Sequence, residues 1–385
     1  MRKEIQMTVN RLPVRTWNHL GMNESQVLGE EGAKPFSSEA RLEGENVFWT
    51  LHAAALPVNR EAWKQNWTNI ASGMGADMNA FGKADGSDIA MLYTEAEKDK
   101  EGQEETKIQK AELSFAYEDG GCYANRLYLH AAEETQLDVT IVLKSGERSN
   151  KGFASLQIKA YAERNAQIRI RTVQLLGKGF CCLNDFGGVC EENAKIELLR
   201  LELGAGTLYA GGEATLQGQN SSFEAEIAYR AEAGQRLDMN YVARHYGKKS
   251  QSQMNVSGVM EENSFKLFRG TIDFVRGCGG SKGEEKEEVL LLGEELVNQT
   301  IPLILCGEED VEGNHGASMG RLDEAVLFYL SSRGIPEKEA EEMIARARID
   351  AVCAKIPQEE VRELVQDFLD REDGRKGDRN ADERL

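Results

Sequence analysis

Proline and histidine are scarce in this chain of 385 residues: there are six prolines, and five histidines at positions 19, 52, 130, 245 and 315. So few imidazoles argue against an enzyme built on a His-rich metal centre within one polypeptide. Cysteines stand at 122, 181, 182, 190, 278, 306 and 353, an odd number with no C-x-x-C pair, no H-E-x-x-H helix and no His/Cys cluster at zinc spacing. In a reducing compartment most are expected as free thiols, often buried as small apolar groups. Positive charge is in deficit too: 46 Lys and Arg face 65 Asp and Glu, a formal net charge of −19. That balance removes the basic face a general nucleic-acid or anionic-membrane binder needs. No apolar run approaches the roughly 18–20 residues of a membrane span; stretches such as Val289-Leu290-Leu291-Leu292 are strand-sized. The opening residues Met1 to Gln6 lack the apolar segment of a secretion signal. The expectation is a cytoplasmic protein with neither nucleic acid nor membrane as partner.

Glycine, by contrast, is plentiful at 38 residues, and with so little proline it suits a chain turning often between short strands. At roughly 150 residues per domain, the length allows two or three domains or one long core with terminal additions. Three textures divide it. Residues 1–106 are mixed: Trp63, Trp67 and Ile70 fall at i, i+4, i+7 and predict a helix with one apolar face, its tryptophans packing. Residues 95–106 are a solvated connector.

Residues 107–318 read as strand after strand. Polar corners precede aliphatic starts at Leu137, Ile168, Ile196 and Leu237, spaced by 31, 28 and 41 residues. Quasi-periodic strands without intervening helix predict a coiling sheet, a parallel β-helix, while the uneven spacing leaves a sandwich open. Residues 319–370 are helical. Leu327-Phe328-Tyr329-Leu330 ends at Gly334, Pro336 opens a helix with Ala340, Met343, Ile344, Ala347 and Ala351 on one face, and Pro357 begins another with Val361, Leu364, Val365, Phe368 and Leu369. Those stripes are either core or a docking surface. Residues 371–385 are expected to be a disordered tail.

Motifs exclude more than they assign. Gly204-Ala205-Gly206, Gly211-Gly212 and Gly277-Cys278-Gly279-Gly280 lack a Walker lysine, and no G-x-S-x-G occurs. Carboxylates are too many for a glycosidase pair to stand out, so a β-helical carbohydrate-active lyase or hydrolase has no supporting motif. It stays open beside a purely structural β-helix protein. Gly313-Asn314-His315-Gly316-Ala317 is the most unusual segment: small neighbours leave the imidazole of His315 approachable by a metal, a cluster or another chain.

Gly316-Ala317-Ser318-Met319-Gly320-Arg321-Leu322-Asp323-Glu324, with Leu327-Phe328-Tyr329-Leu330-Ser331-Ser332-Arg333-Gly334-Ile335, resembles the C-terminal signature of the SufB/SufD family of iron–sulfur cluster assembly proteins. Phe268-Arg269-Gly270-Thr271-Ile272, Leu290-Leu291-Leu292-Gly293 with Pro302-Leu303-Ile304-Leu305, Gly211-Gly212 with Leu216-Gln217-Gly218, and Pro13-Val14-Arg15-Thr16-Trp17-Asn18 resemble further family segments. The resemblance covers residues 200–350 most clearly. It implies a right-handed parallel β-helix core with an N-terminal mixed or helical region and a C-terminal helical domain. It also implies a non-catalytic scaffold subunit that pairs with a SufB-like chain and docks the SufC ATPase through its C-terminal helices. Gly316 stands where SufB-like chains carry glutamate, and Glu287 where they carry a scaffold cysteine, so the resemblance is to the SufD-like branch. Asp310-Val311-Glu312-Gly313-Asn314 departs from the family's cysteine-bearing approach to the histidine. From this resemblance His315 is the expected iron or cluster ligand, Cys306 a second candidate, and Leu327, Phe328, Tyr329, Leu330, Met343 and Ile344 the SufC-docking residues. No stably bound cofactor is expected, only transient iron or an iron–sulfur cluster at the SufB–SufD interface. A homodimer is left open.

Overall fold

A computed structural model describes residues 4–16, 18–30, 39–51, 60–81, 89–96, 108–146 and 151–373. Most of the connector expected at 95–106, and the tail from 374 onward, lie outside the described residues.

The strands in chain order are β1 (Glu4–Val9), β2 (Ser25–Glu30), β3 (Glu39–Glu43), β4 (Val47–Thr50), β5 (Ile89–Thr94), β6 (Ile108–Tyr117), β7 (Cys122–Ala131), β8 (Gln136–Ser145), β9 (Lys151–Ala162) and β10 (Gln167–Leu175). They continue as β11 (Gly179–Cys190), β12 (Lys195–Glu202), β13 (Thr207–Leu216), β14 (Ser222–Ala231), β15 (Arg236–His245), β16 (Gln251–Glu261), β17 (Phe265–Phe274), β18 (Ser281–Leu292), β19 (Val297–Cys306) and β20 (Val311–Gly320). The helices are α1 (Arg60–Asn69), α2 (Ala76–Phe81), α3 (Glu324–Ser332), α4 (Glu337–Cys353) and α5 (Glu359–Glu372).

From β5 onward each strand pairs in parallel with the strand two places on, so β6–β20 (even) and β5–β19 (odd) form two sheets, which β3 and β4 respectively extend to nine strands each. This is a parallel β-solenoid. Antiparallel β3 and β4 close one end, against β6 and β5. The other end stops at β19 and β20, each the outermost strand of its sheet.

Alternation along each strand sends every second side chain into the lumen. Leu137, Ile168, Ile196 and Phe223 stack in register along one sheet wall and are all buried. Leu237, which the spacing of the corners grouped with the first three, instead pairs with Leu208 in the opposite sheet. Each coil has two corners, and the second-wall corner Gln235-Arg236-Leu237 carries the same polar-then-aliphatic signal as those of the first wall. At the corner of the first wall Asn165, Asn193 and Asn220 adopt φ of 58°, 54° and 55°, the left-handed region that asparagine tolerates. Their side chains form a ladder, Asn193 Nδ2 donating to Asn165 Oδ1 at 3.0 Å and Asn220 Nδ2 to Asn193 Oδ1 at 3.0 Å.

Extra elements coat the outer faces. Trp63, Trp67 and Ile70 of the α1 region pack on Tyr128, Ile89 and Val189, as their helical spacing predicts. The β1–β2 hairpin is tied down where Asp238, fully buried, accepts from Asn10 Nδ2 at 2.7 Å and Arg269 Nη1 at 2.6 Å. Helices α4 and α5 fold back on the solenoid: Ile349, Val352, Val361, Val365, Phe368 and Leu369 cover Val173, Leu199, Leu201 and Ala228. Arg230 Nη1, 2.8 Å from Asp373, fastens the end of α5. No helix among the described residues is long and apolar enough to cross a membrane.

Candidate functional site at the open end of the solenoid

The sequence of β18 fixes which way the last coil faces. Ser281, Gly283, Glu285, Glu287 and Val289 are buried while Lys282, Glu284 and Lys286 are exposed, so the odd positions point into the lumen. Strand β20 lies parallel to β18 with Glu285 opposite His315 and Glu287 opposite Ala317. Neighbouring residues of parallel strands share a face, so Val311, Gly313, His315, Ala317 and Met319 are the lumen side of β20. Asn298 Nδ2, donating to the Met319 sulfur at 3.0 Å from the facing strand β19, confirms that side. His315 is nevertheless exposed, because no further coil among the described residues covers it. The imidazole stands at the mouth of an uncapped lumen.

Below the mouth the lumen turns from aliphatic to charged. Lys266, fully buried, donates to Glu287 Oε1 at 2.6 Å and to Thr300 Oγ1 at 2.8 Å, and Thr300 returns a hydrogen bond to Glu287 Oε2 at 2.7 Å. Burial pulls the Lys266 ammonium below its ordinary range against the pull of Glu287. Glu285, beside them, is pushed up to about 7, first by burial and then by the neighbouring Glu287 charge. Sequence reading singled out Glu287 only by alignment and passed over Lys266 and Glu285. The signal was register: Glu285 and Glu287 occupy the rungs that Met254 and Val256 fill with apolar side chains one coil earlier.

Cys306 ends β19 and is exposed, but its rung neighbour is Phe274, away from the Glu285 rung. No group of three His, Cys, Asp or Glu side chains among the described residues is disposed to hold a metal ion. His315 and Cys306 therefore do not form a closed metal site within the chain. Cys182, Cys190, Cys278 and Cys353 are buried, and burial pushes the Cys181 thiol up to about 11, so these sulfurs are poorly ionised.

The second site is helical. α3 is apolar yet buries none of its residues: Phe328 is 76% exposed and Tyr329 56%, while Leu327 and Leu330 are half-exposed. α4 carries two apolar stripes. Ala340, Ala345, Ile349 and Val352 are buried, whereas Met343, Ala347 and Ala351 of the face read from sequence point to solvent. Ile344 is half-buried, packed with Val259, Leu290 and Ala345. Phe328, Tyr329 and Met343 thus form the open part of the expected docking set, and the stripe on α5 is core.

Comparison with known proteins agrees with this architecture. Residues 115–348 match the family described as SUF system FeS cluster assembly, SufBD core domain. The iron–sulfur cluster assembly protein SufD of Bacillus subtilis is 24% identical over 260 residues, covering 64% of this chain and 60% of that protein. A SufBD family protein of Staphylococcus saprophyticus is 22% identical over 353 residues, or 90% of this chain and 75% of its own length. SufB of B. subtilis is 22% identical over 318 residues, 83% and 67% of the two chains. The match thus leaves two fifths of the SufD relative uncovered. A β-solenoid ending at an exposed histidine, with a family match running through most of its coils, settles the affiliation: the chain belongs to the SufB/SufD family of iron–sulfur cluster assembly proteins.

Proposed function

We propose that this chain is a SufD-like scaffold subunit that pairs with a SufB-like chain across the open end of the solenoid. In that complex His315 offers its imidazole to iron of a nascent cluster whose thiolates come mainly from the partner. The single observation that carries the reading is the placement of His315 on β20, the uncovered edge strand at the lumen mouth. From Gly313 to Gly320 that strand carries no charged side chain and no proline, so its edge lacks the usual protection against pairing with another strand. Gly316 and Glu287, at the positions where SufB-like chains carry glutamate and cysteine, support the SufD-like branch, as does a SufD among the relatives. Nucleotide hydrolysis is assigned to a SufC ATPase partner, since no phosphate-binding loop occurs in this sequence.

His315→Ala is expected to lower cluster yield on the reconstituted complex while the subunits still co-purify. Full yield from that variant discards the role of His315, and failure of the wild-type chain to co-purify with a SufB-like partner discards the pairing. For SufC docking, the exposed apolar set Phe328, Tyr329 and Met343 supports a partner covering α3 and α4. Phe328→Asp with Met343→Asp should abolish SufC co-purification; unaffected binding counts against it.

A further inference from the structure

His315 has a neighbour that its own strand does not reveal. Glu285 is only 3% exposed, and its Oε2 has no hydrogen-bond partner among the described residues. Glu287, two residues on, has both oxygens engaged, one by Lys266 and the other by Thr300. One buried cation thus faces two buried carboxyls, and its hydrogen bonds go to Glu287 and Thr300. A buried carboxyl oxygen without a partner calls for a proton or a cation. The space it occupies is kept open by glycine: a Cβ on Gly270 of β17 would lie 2.4 Å from the Glu285 carboxyl carbon. On the rung nearer the mouth stands His315, opposite Glu285 in register and on the same lumen face. Its lumen-side neighbours on β20, Gly313 and Ala317, are small, and the Met319 sulfur further along that face accepts from Asn298, so the imidazole is the nitrogen donor that the strand presents opposite Glu285.

We propose that Glu285 and His315 together bind a divalent transition metal, ferrous iron in the working complex, at the mouth of the lumen. The pair supplies one carboxylate oxygen and one imidazole nitrogen, a donor set that suits Fe²⁺. The remaining positions go to water in the isolated chain and to a partner's thiolate in the complex. Binding displaces any proton on the Glu285 carboxyl and changes no oxidation state. This site rests on the reading of His315 as an iron-facing residue and adds its second ligand.

The test uses the full chain alone, metal-free and anaerobic, titrated with Co²⁺ and followed by visible absorption, with Fe²⁺ equilibrium dialysis as a second measurement. The wild type should take up one ion, and Glu285→Gln and His315→Ala should each weaken binding by about tenfold or more. Glu284→Gln, on the outward face, should bind as the wild type does. Thermal melts of Glu285→Gln guard against a loss caused by unfolding. Wild-type affinity in a folded Glu285→Gln, or no binding by the wild-type chain, overturns the two-residue site. Either outcome leaves the loss of cluster yield in His315→Ala complexes as a separate test of the scaffold role.

Discussion

His245 and Glu285 pull stability in opposite directions over the same span of pH. His245 is fully buried, its nitrogens 2.8 Å and 2.9 Å from the hydroxyls of Ser250 and Ser252, and burial pushes the imidazole from 6.5 down to about 4. Between those values the unfolded chain binds the extra proton, so this residue's contribution to stability is lost as pH falls. Glu285 is shifted from 4.5 up to about 7, so the folded chain binds the extra proton and stability is lost as pH rises through that window. Each shift corresponds to roughly 3 kcal/mol at full development. Relative to the wild type, Glu285→Gln should therefore gain up to about 3 kcal/mol on going from pH 4.5 to 7. His245→Gln should gain a similar amount on going from pH 6.5 to 4. Urea unfolding in chelator-treated buffer at a series of pH values reads both differences; parallel profiles for wild type and variant would refute the assignment. The Lys266–Glu287 pair is different in kind. Glu287→Ala removes the carboxylate that is hydrogen-bonded to the buried Lys266 ammonium and should cost about 3–5 kcal/mol, checked in the same unfolding series at pH 7.

Among the elements, the helices separate core from surface in a way that can be measured. Phe368 of α5 is buried against the solenoid, and Phe368→Ala should cost about 3–5 kcal/mol. Phe328 of α3 touches no core, and Phe328→Asp should change stability by less than about 0.5 kcal/mol. Thermal unfolding compares the two, and equal losses would mean α3 is packed after all. Sequence alone could not make this distinction, because an apolar stripe looks the same whether a sheet or another protein covers it. The coils were legible for the opposite reason. Inward aliphatics at Leu137, Ile168 and Ile196 recur because each must bury itself against the coil beside it, and Asn165 and Asn193 mark a turn that needs a left-handed residue. What blurred the period was the second corner in every coil, which drew Leu237 into the wrong wall. His315 stood out as a rare residue among small ones, whereas Glu285 was one acid among 65 Asp and Glu until the register placed it inside.

At the scale of the molecule two forces compete at the open end. The uncharged Gly313–Gly320 edge of β20 and the half-covered apolar side chains of Val297 on β19 and Met319 on β20, 46% and 41% exposed, favour another chain docking there. The net charge of −19 opposes that other chain being a second copy, since two such molecules repel through solvent at low ionic strength. Salt weakens the repulsion, its range falling from about 30 Å at 0.01 M to about 8 Å at 0.15 M, and leaves the short-range strand pairing intact. Self-association of the isolated chain should therefore strengthen as salt is added, the reverse of a complex held by opposite charges. Sedimentation velocity at 0.01 M and 0.15 M ionic strength tests this. Ser318→Lys, which places a charge on the bare edge strand, should lower the dimer fraction at both salts without altering the melting temperature. A dimer that dissociates as salt rises, or one indifferent to Ser318→Lys, would place the self-association surface elsewhere than the solenoid mouth.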